Sequence, residues 1–237
     1  MVAAIIGASR GVGKALALQF LQQGHKVMLG MRSITSANLS AEKTFSSQAM
    51  TLKADLLDES SLRNAATEAV YHWGKIDIVV VSAGLLLAGD RVNDLLHTDL
   101  NELRQMFEVN AVGILTALRC FSPFMRRGGV FAVLTAQGGS LSEYSPLFPA
   151  YTVSKTAANK IVQFLYHTVS EVQVIAIHPG RVNTDMGQTT AQIEPEESAR
   201  GIYQTLTKQQ IFSHWFLNYT GELLESQSRA EPAAPTK

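Results

Sequence analysis

Residues 2–30 constrain the fold more than any other stretch of the chain. Val2 to Ile6 is an unbroken apolar run, the pattern of a parallel strand buried on both faces. It leads into Gly7-Ala8-Ser9-Arg10-Gly11-Val12-Gly13 and then into an amphipathic stretch through Ala15, Leu16, Phe20 and Leu21. Gly24 is a helix stop, and residues 26–30 read as a second strand. A βαβ unit with glycines in its strand-to-helix turn commits the chain to an α/β sheet. Glycines at 7, 11 and 13 let the backbone approach a pyrophosphate and leave the helix N-terminus free to bind it. The spacing is G-x-x-x-G-x-G rather than the commoner G-x-G-x-x-G. A turn that only joins strand to helix is the alternative.

The same alternation continues. Strands are expected at 50–54, 75–81, 130–135, 172–177 and 212–217, and helices from near Glu59, over 99–127 and over 151–168. Glu194-Pro195-Glu196-Glu197 reads as a further helix start, with Pro at the first position and acids in the first turn. Residues 33–50 read as a polar surface excursion. This order implies a Rossmann-type, doubly wound parallel sheet in a single domain over 1–224, with ligands beyond the strands' C-terminal ends. The polar, Pro- and Ala-containing segment 225–237 is expected to be a disordered tail.

Composition narrows the function classes. Lys plus Arg equal Asp plus Glu, 20 each, so no polyanion-binding surface is implied and no nucleic-acid partner is expected. No apolar run reaches the ~18 residues of a membrane span. One cysteine, Cys120, fits a reducing compartment, and a cytoplasmic location is expected. The six histidines show no metal-ligand spacing, so no metal is expected. His178 is expected to pack rather than titrate.

Two places in the chain carry chemistry. Tyr151 and Lys155 stand four apart, one turn from each other on a helix face. An ammonium beside a phenol lowers its pKa and makes it a proton donor. The pair alone is weak, because the spacing recurs on exposed helices. The other place is the end of the second strand, where an acid would hold a ribose hydroxyl and an arginine would accept a 2′-phosphate. Here Arg32 stands there, and Arg10 lies inside the glycine turn. Two guanidiniums suit a phosphate dianion, which predicts NADP(H) rather than NAD(H); two solvated arginines are the alternative. Asp55 ends the third strand, able to meet an adenine amino group or to cap the next helix. Asn110, mid-helix against propensity, is either a satisfied structural group or part of a proton relay.

Together Gly7-x-x-x-Gly11-Val12-Gly13, Asp55, Ser82-Ala83-Gly84, Asn110, Tyr151-x-x-x-Lys155 and Pro179-Gly180-x-Val182-x-Thr184 resemble the short-chain dehydrogenase/reductase family. His178-Pro179-Gly180-Arg181-Val182-Asn183-Thr184-Asp185-Met186-Gly187 is similar to the C-factor-like and sniffer-type carbonyl reductases. The resemblance covers residue 2 to about residue 222. It implies a hydride transfer between NADP(H) and a small carbonyl or alcohol substrate, with Tyr151 as proton donor or acceptor. By the same resemblance Lys155 binds the nicotinamide ribose and lowers the Tyr151 pKa, and Asn110 holds a relay water. Thr184 and the backbone after Pro179 fix the carboxamide. Gly7, Ser9, Arg10, Gly11, Val12, Gly13, Arg32, Asp55, Leu56, Ser82, Ala83, Gly84, Asn110, Tyr151, Lys155, Pro179, Gly180, Val182 and Thr184 form the implied cofactor set. A substrate lid is implied at about 185–197, and the long helices imply a homodimer or homotetramer.

Two departures from the family pattern bear on catalysis. Val81-Ser82-Ala83-Gly84 replaces Asn-Asn-Ala-Gly, and Ala136 stands where the family has its catalytic serine. Losing one donor to the reacting oxygen costs about 10²–10³ in rate. Thr135, Gln137, Ser140 and Ser142 are candidate replacements, and Ser140 is favoured because Gly138-Gly139 let the backbone turn it inward. A nucleotide-binding protein with weak or no catalysis, acting as a redox sensor or partner subunit, is the competing function.

Overall fold

The computed structural model describes residues 1–141, 147–187, 191–208 and 211–224. Seven strands, β1 (Val2–Ile6), β2 (Lys26–Met31), β3 (Ala49–Lys53), β4 (Ile76–Val81), β5 (Met125–Leu134), β6 (Gln173–His178) and β7 (Phe216–Asn218), form one sheet. Their order is β3-β2-β1-β4-β5-β6-β7, and every neighbouring pair is parallel. The helices between them are α1 (Gly11–Gln22), α2 (Ser40–Thr44), α3 (Glu59–Trp73), α4 (Leu100–Phe107), α5 (Gly113–Phe121), α6 (Pro149–Thr168) and α7 (Pro195–Thr207). This is the doubly wound Rossmann-type arrangement. The strand order reverses between β1 and β4, which opens a crevice at their C-terminal ends.

Strand periodicity builds two cores. Ala4, Ile6, Val79, Val81, Phe131 and Val133 face α3, α5 and α6, where they meet Leu62, Ile114, Phe121 and Val162. Their chain neighbours Ile5, Ile78, Val80, Ala132 and Leu134 face α1 and α7, where they meet Leu16, Phe20, Ile202 and Leu206. Burying each large aliphatic or aromatic side chain stabilises the fold by about 1.5–3 kcal/mol, so every central strand is held from both sides.

Several element boundaries differ from the sequence reading. The long helix expected over 99–127 is α4, a π-type turn at Glu108–Val112 and α5, followed by a 3-10 turn at Ser122–Phe124. Pro123 has no N–H to continue a helix, so the chain turns and β5 starts at Met125, placing Arg126 and Arg127 in a strand. Gly128, with φ +76°, absorbs the irregular register beside β4. The excursion at 33–50 holds a 3-10 turn, α2 and the first residues of β3. The cap of α3 is Asp58, whose side chain accepts from Ser61 N–H, not Asp55. β7 is shorter than expected, because Phe212 is taken into the core instead, its N–H donating to Gln173 Oε1. The expected tail at 225–237 lies outside the described residues. Among the described residues no helix is long and apolar enough to cross a membrane.

Candidate active site

The glycine turn is built by close approach. Gly7 has φ +95°, and its N–H and that of Ala8 both donate to Gly30 O. A Cβ on Gly7 would lie 2.5 Å from Ala83 N, and one on Gly13 would overlap the Gly7 carbonyl oxygen and come within 2.8 Å of Ser82 Oγ. The β1 turn, the start of α1 and Ser82-Ala83 therefore pack as one unit at the crevice. Residue 10, ahead of α1, makes no side-chain cap and the first turn has no acid, so its N–H groups suit an anion. Gly11 meets Thr184, whose Cγ2 would lie 3.3 Å from a Cβ there.

Other members of the expected cofactor set line the same edge. Asp55 accepts from Leu57 N–H, and its own N–H donates to Ser61 Oγ. Leu56 is buried against Gly113. Pro179 O accepts from Ser198 Oγ at 2.6 Å, Gly180 has φ +88°, and Val182 pairs with Ile193. Thr184 Oγ1 accepts from Gly187 N–H. Ser9 and Arg10 are exposed, Val12 is half-buried, and Arg32 is exposed just past β2. The expectation that both arginines wait for one phosphate meets a competitor: Arg10 is paired with Asp185 at 2.8 Å. Of the expected lid, 188–190 lie outside the described residues, and 195–197 form the first turn of α7.

On α6 the pair expected at one helix turn is found. Lys155 Nζ lies 5.7 Å from the Tyr151 ring centroid and donates to Leu134 O at 3.1 Å, at the end of β5. Lys155 is 3% exposed, and burial lowers its ammonium to about 8. Burial also pushes the Tyr151 phenol above its ordinary value. This corrects the expectation of a phenol lowered by its neighbour's charge: desolvation sets its direction here.

Asn110 lies in the π-type turn and is 2% exposed. Its Oδ1 accepts from Leu85 N–H, and its Nδ2 donates to Leu85 O and Ser154 Oγ. These bonds tie the segment after β4 to α6. Gly84 sits between, 3.5 Å from Asn110 Oδ1 and from Lys155 Nζ at its Cβ position.

The segment after β5 sorts the candidate hydroxyls. Thr135 is buried, and its Oγ1 donates to Asn159 Oδ1 at 2.6 Å, so it is committed to α6 below the site. Gln137 has an exposed side chain, and its N–H donates to His178 Nδ1. Burial lowers the His178 pKa, which keeps the ring neutral and able to accept. Gly139 backs directly onto α6, where a Cβ would lie 2.7 Å from the carbonyl carbon of Lys155. Ser140 follows, half-buried, its N–H donating to Gln137 O. Ser142 lies outside the described residues.

Sequence reasoning missed Asp90 and Arg91. Asp90 is 2% exposed and accepts from the N–H groups of Ala150 and Tyr151, both at 2.8 Å. Arg91 donates to the carbonyls of Asp185 and Met186. One signal existed: Phe148-Pro149 offers α6 no capping side chain, so an acceptor had to come from elsewhere.

The family model for short chain dehydrogenases matches residues 1–195. A short chain dehydrogenase of Monascus purpureus is 29% identical over 245 aligned residues, covering 96% of this chain and 83% of that protein. A carbonyl reductase from Pseudomonas aeruginosa PAO1 superposes with a TM-score of 0.81 at 26% identity, covering 94% and 98% of the two chains. The NADPH-bound carbonyl reductase from chicken fatty liver shares the fold, with a TM-score of 0.84 at 19% identity over 94% and 93%.

Proposed function

The chain belongs to the short-chain dehydrogenases, and from that premise we propose that it is an NADP(H)-dependent oxidoreductase acting on a small carbonyl or alcohol. The observation that carries the reading is the buried Lys155 ammonium 5.7 Å from the Tyr151 ring centroid, at the sheet edge that also holds the glycine turn. The donor set fits a dinucleotide: an uncapped α1 N-terminus for a pyrophosphate, with Arg10 and Arg32 for a 2′-phosphate. Bound NADPH supplies the hydride. Tyr151 holds the proton at its phenol oxygen and releases it to the carbonyl oxygen. Its raised pKa keeps that proton in place at neutral pH. Lys155, charged below about pH 8, stabilises the phenolate left behind. Ser140 is the donor proposed to hold the substrate oxygen in place of the missing serine at Ala136. The lid is proposed within 185–197, the assembly as a homodimer or homotetramer, and the location as cytoplasmic.

Ala136 favours a second reading, a nucleotide-binding protein without efficient chemistry. NADPH oxidation with a panel of aldehydes, ketones and quinones separates the two. Turnover that Tyr151→Phe removes supports the reductase; NADPH binding without turnover on any carbonyl supports the second reading.

A further inference from the structure

The helix that carries Tyr151 has no cap of its own. Phe148 stands at the N-cap with φ +56°, in the left-handed region, and its side chain offers no acceptor. Pro149, next, has no N–H. Thr152 N–H is satisfied by Phe148 O at 2.8 Å. That leaves the N–H groups of Ala150 and Tyr151, and Asp90 takes both: Oδ1 accepts from Ala150 and Oδ2 from Tyr151, each at 2.8 Å.

Asp90 reaches them from a separate 3-10 turn, Gly89–Arg91. A buried carboxylate bonded to two N–H groups at the positive end of a 20-residue helix is held by charge-assisted bonds and by the helix dipole. Arg91 extends the brace in the other direction. It donates to Asp185 O and Met186 O at 3.2 and 3.1 Å, and its Cζ lies 5.4 Å from the Phe148 ring centroid. The turn therefore joins the start of α6 to the segment after β6.

We propose that Asp90 is a positioning residue for Tyr151. It holds the backbone of residue 151, and so sets where the phenol oxygen stands, without touching substrate or cofactor. The proposal rests on the reading of Tyr151 as proton donor. A reacting group displaced by about 1 Å can lose about 10² in rate, whereas a cap that only supports the fold would lower stability and leave turnover per folded molecule unchanged.

The test compares Asp90→Ala and Asp90→Asn with the unaltered protein in carbonyl reduction by NADPH, with amide exchange followed over 149–153. Asp90→Ala is expected to lower kcat about tenfold or more, with the KM for NADPH within about twofold. Asp90→Asn, which keeps one acceptor oxygen, is expected to recover part of that loss. The Ala150 and Tyr151 amides should exchange faster in both. A kcat within about twofold of the unaltered protein in folded Asp90→Ala overturns the proposal. If Asp90→Ala does not fold, the same result in Asp90→Asn overturns it. An unaltered protein that reduces no carbonyl sinks the oxidoreductase reading and not the brace; unchanged exchange in Asp90→Asn then sinks the brace as well.

Discussion

Lys155 lies near the ring of Tyr151, its ammonium 5.7 Å from the ring centroid, and burial drives both groups towards their neutral forms. At neutral pH the phenol is protonated and the ammonium, at about 8, is still mostly charged. Reduction uses the phenol's proton and oxidation needs the phenolate. Reduction is therefore expected to stay level below about pH 8 and to decline above it as Lys155 loses its charge. Oxidation of an alcohol should rise with pH through the neutral range. Rates measured in both directions check this, and an oxidation rate that falls from about pH 6 to 8 would contradict it.

The Lys155 ammonium costs the fold stability. Its pKa falls from 10.5 to about 8, so the unfolded chain binds more protons between those values and stability rises with pH through that window. Below about pH 8 the full cost is present, roughly 3 kcal/mol from the size of the shift. Lys155→Met is expected to raise Tm at pH 7 by several degrees while abolishing turnover. Thermal unfolding reads this directly, and a lower Tm in the variant would contradict it.

Arg10 and Asp185 join the glycine turn to the segment after β6 through an exposed ion pair at 2.8 Å. A 2′-phosphate would compete with Asp185 for that guanidinium. NADPH is expected to bind more tightly than NADH, and Arg32→Ala should narrow the gap. Asp185→Asn should tighten NADPH binding by up to about fivefold, the scale of an exposed ion pair. Equal affinities for NADPH and NADH in fluorescence titrations would overturn the cofactor preference.

Ser140→Ala is expected to slow turnover about tenfold or more, with Tm little changed, because the side chain is proposed to act on the substrate oxygen. Ser142→Ala is the parallel control. If neither slows turnover by that much, a shifted serine does not replace the one missing at Ala136. Thr135→Val should behave differently. It leaves Asn159 Oδ1 without its buried donor, and is expected to lose about 1–3 kcal/mol in a denaturant titration.

Much of the fold was legible because it follows from short periods. The apolar run Val2–Ile6 and the amphipathic spacing of α1 each state their own secondary structure. Errors fell where a local pattern was cut by a single residue. The apolar run of α5 reads on towards Arg127 unless Pro123 is taken as its stop. Asp55 is the cap that the sequence reading offers for the helix near Glu59, but Asp58, directly before α3, is the residue whose side chain accepts from Ser61 N–H.

The glycine turn, the Tyr151–Lys155 spacing and the alternation of strand and helix were determined by sequence alone, because each depends on residues a few positions apart. Tertiary structure decided the rest of the site. Asp90 finds Tyr151 across 61 residues and Arg10 finds Asp185 across 175. Thr135 turns to Asn159, and the Asn110 side chain bonds to Leu85 and Ser154. The two pKa directions likewise come from burial that neither residue's neighbours in the chain could announce. Such pairings have no sequence period. They exist only once the parallel sheet has brought the ends of β4, β5 and β6 to one edge, where the desolvation that shifts a pKa and the partner that satisfies a donor are both set.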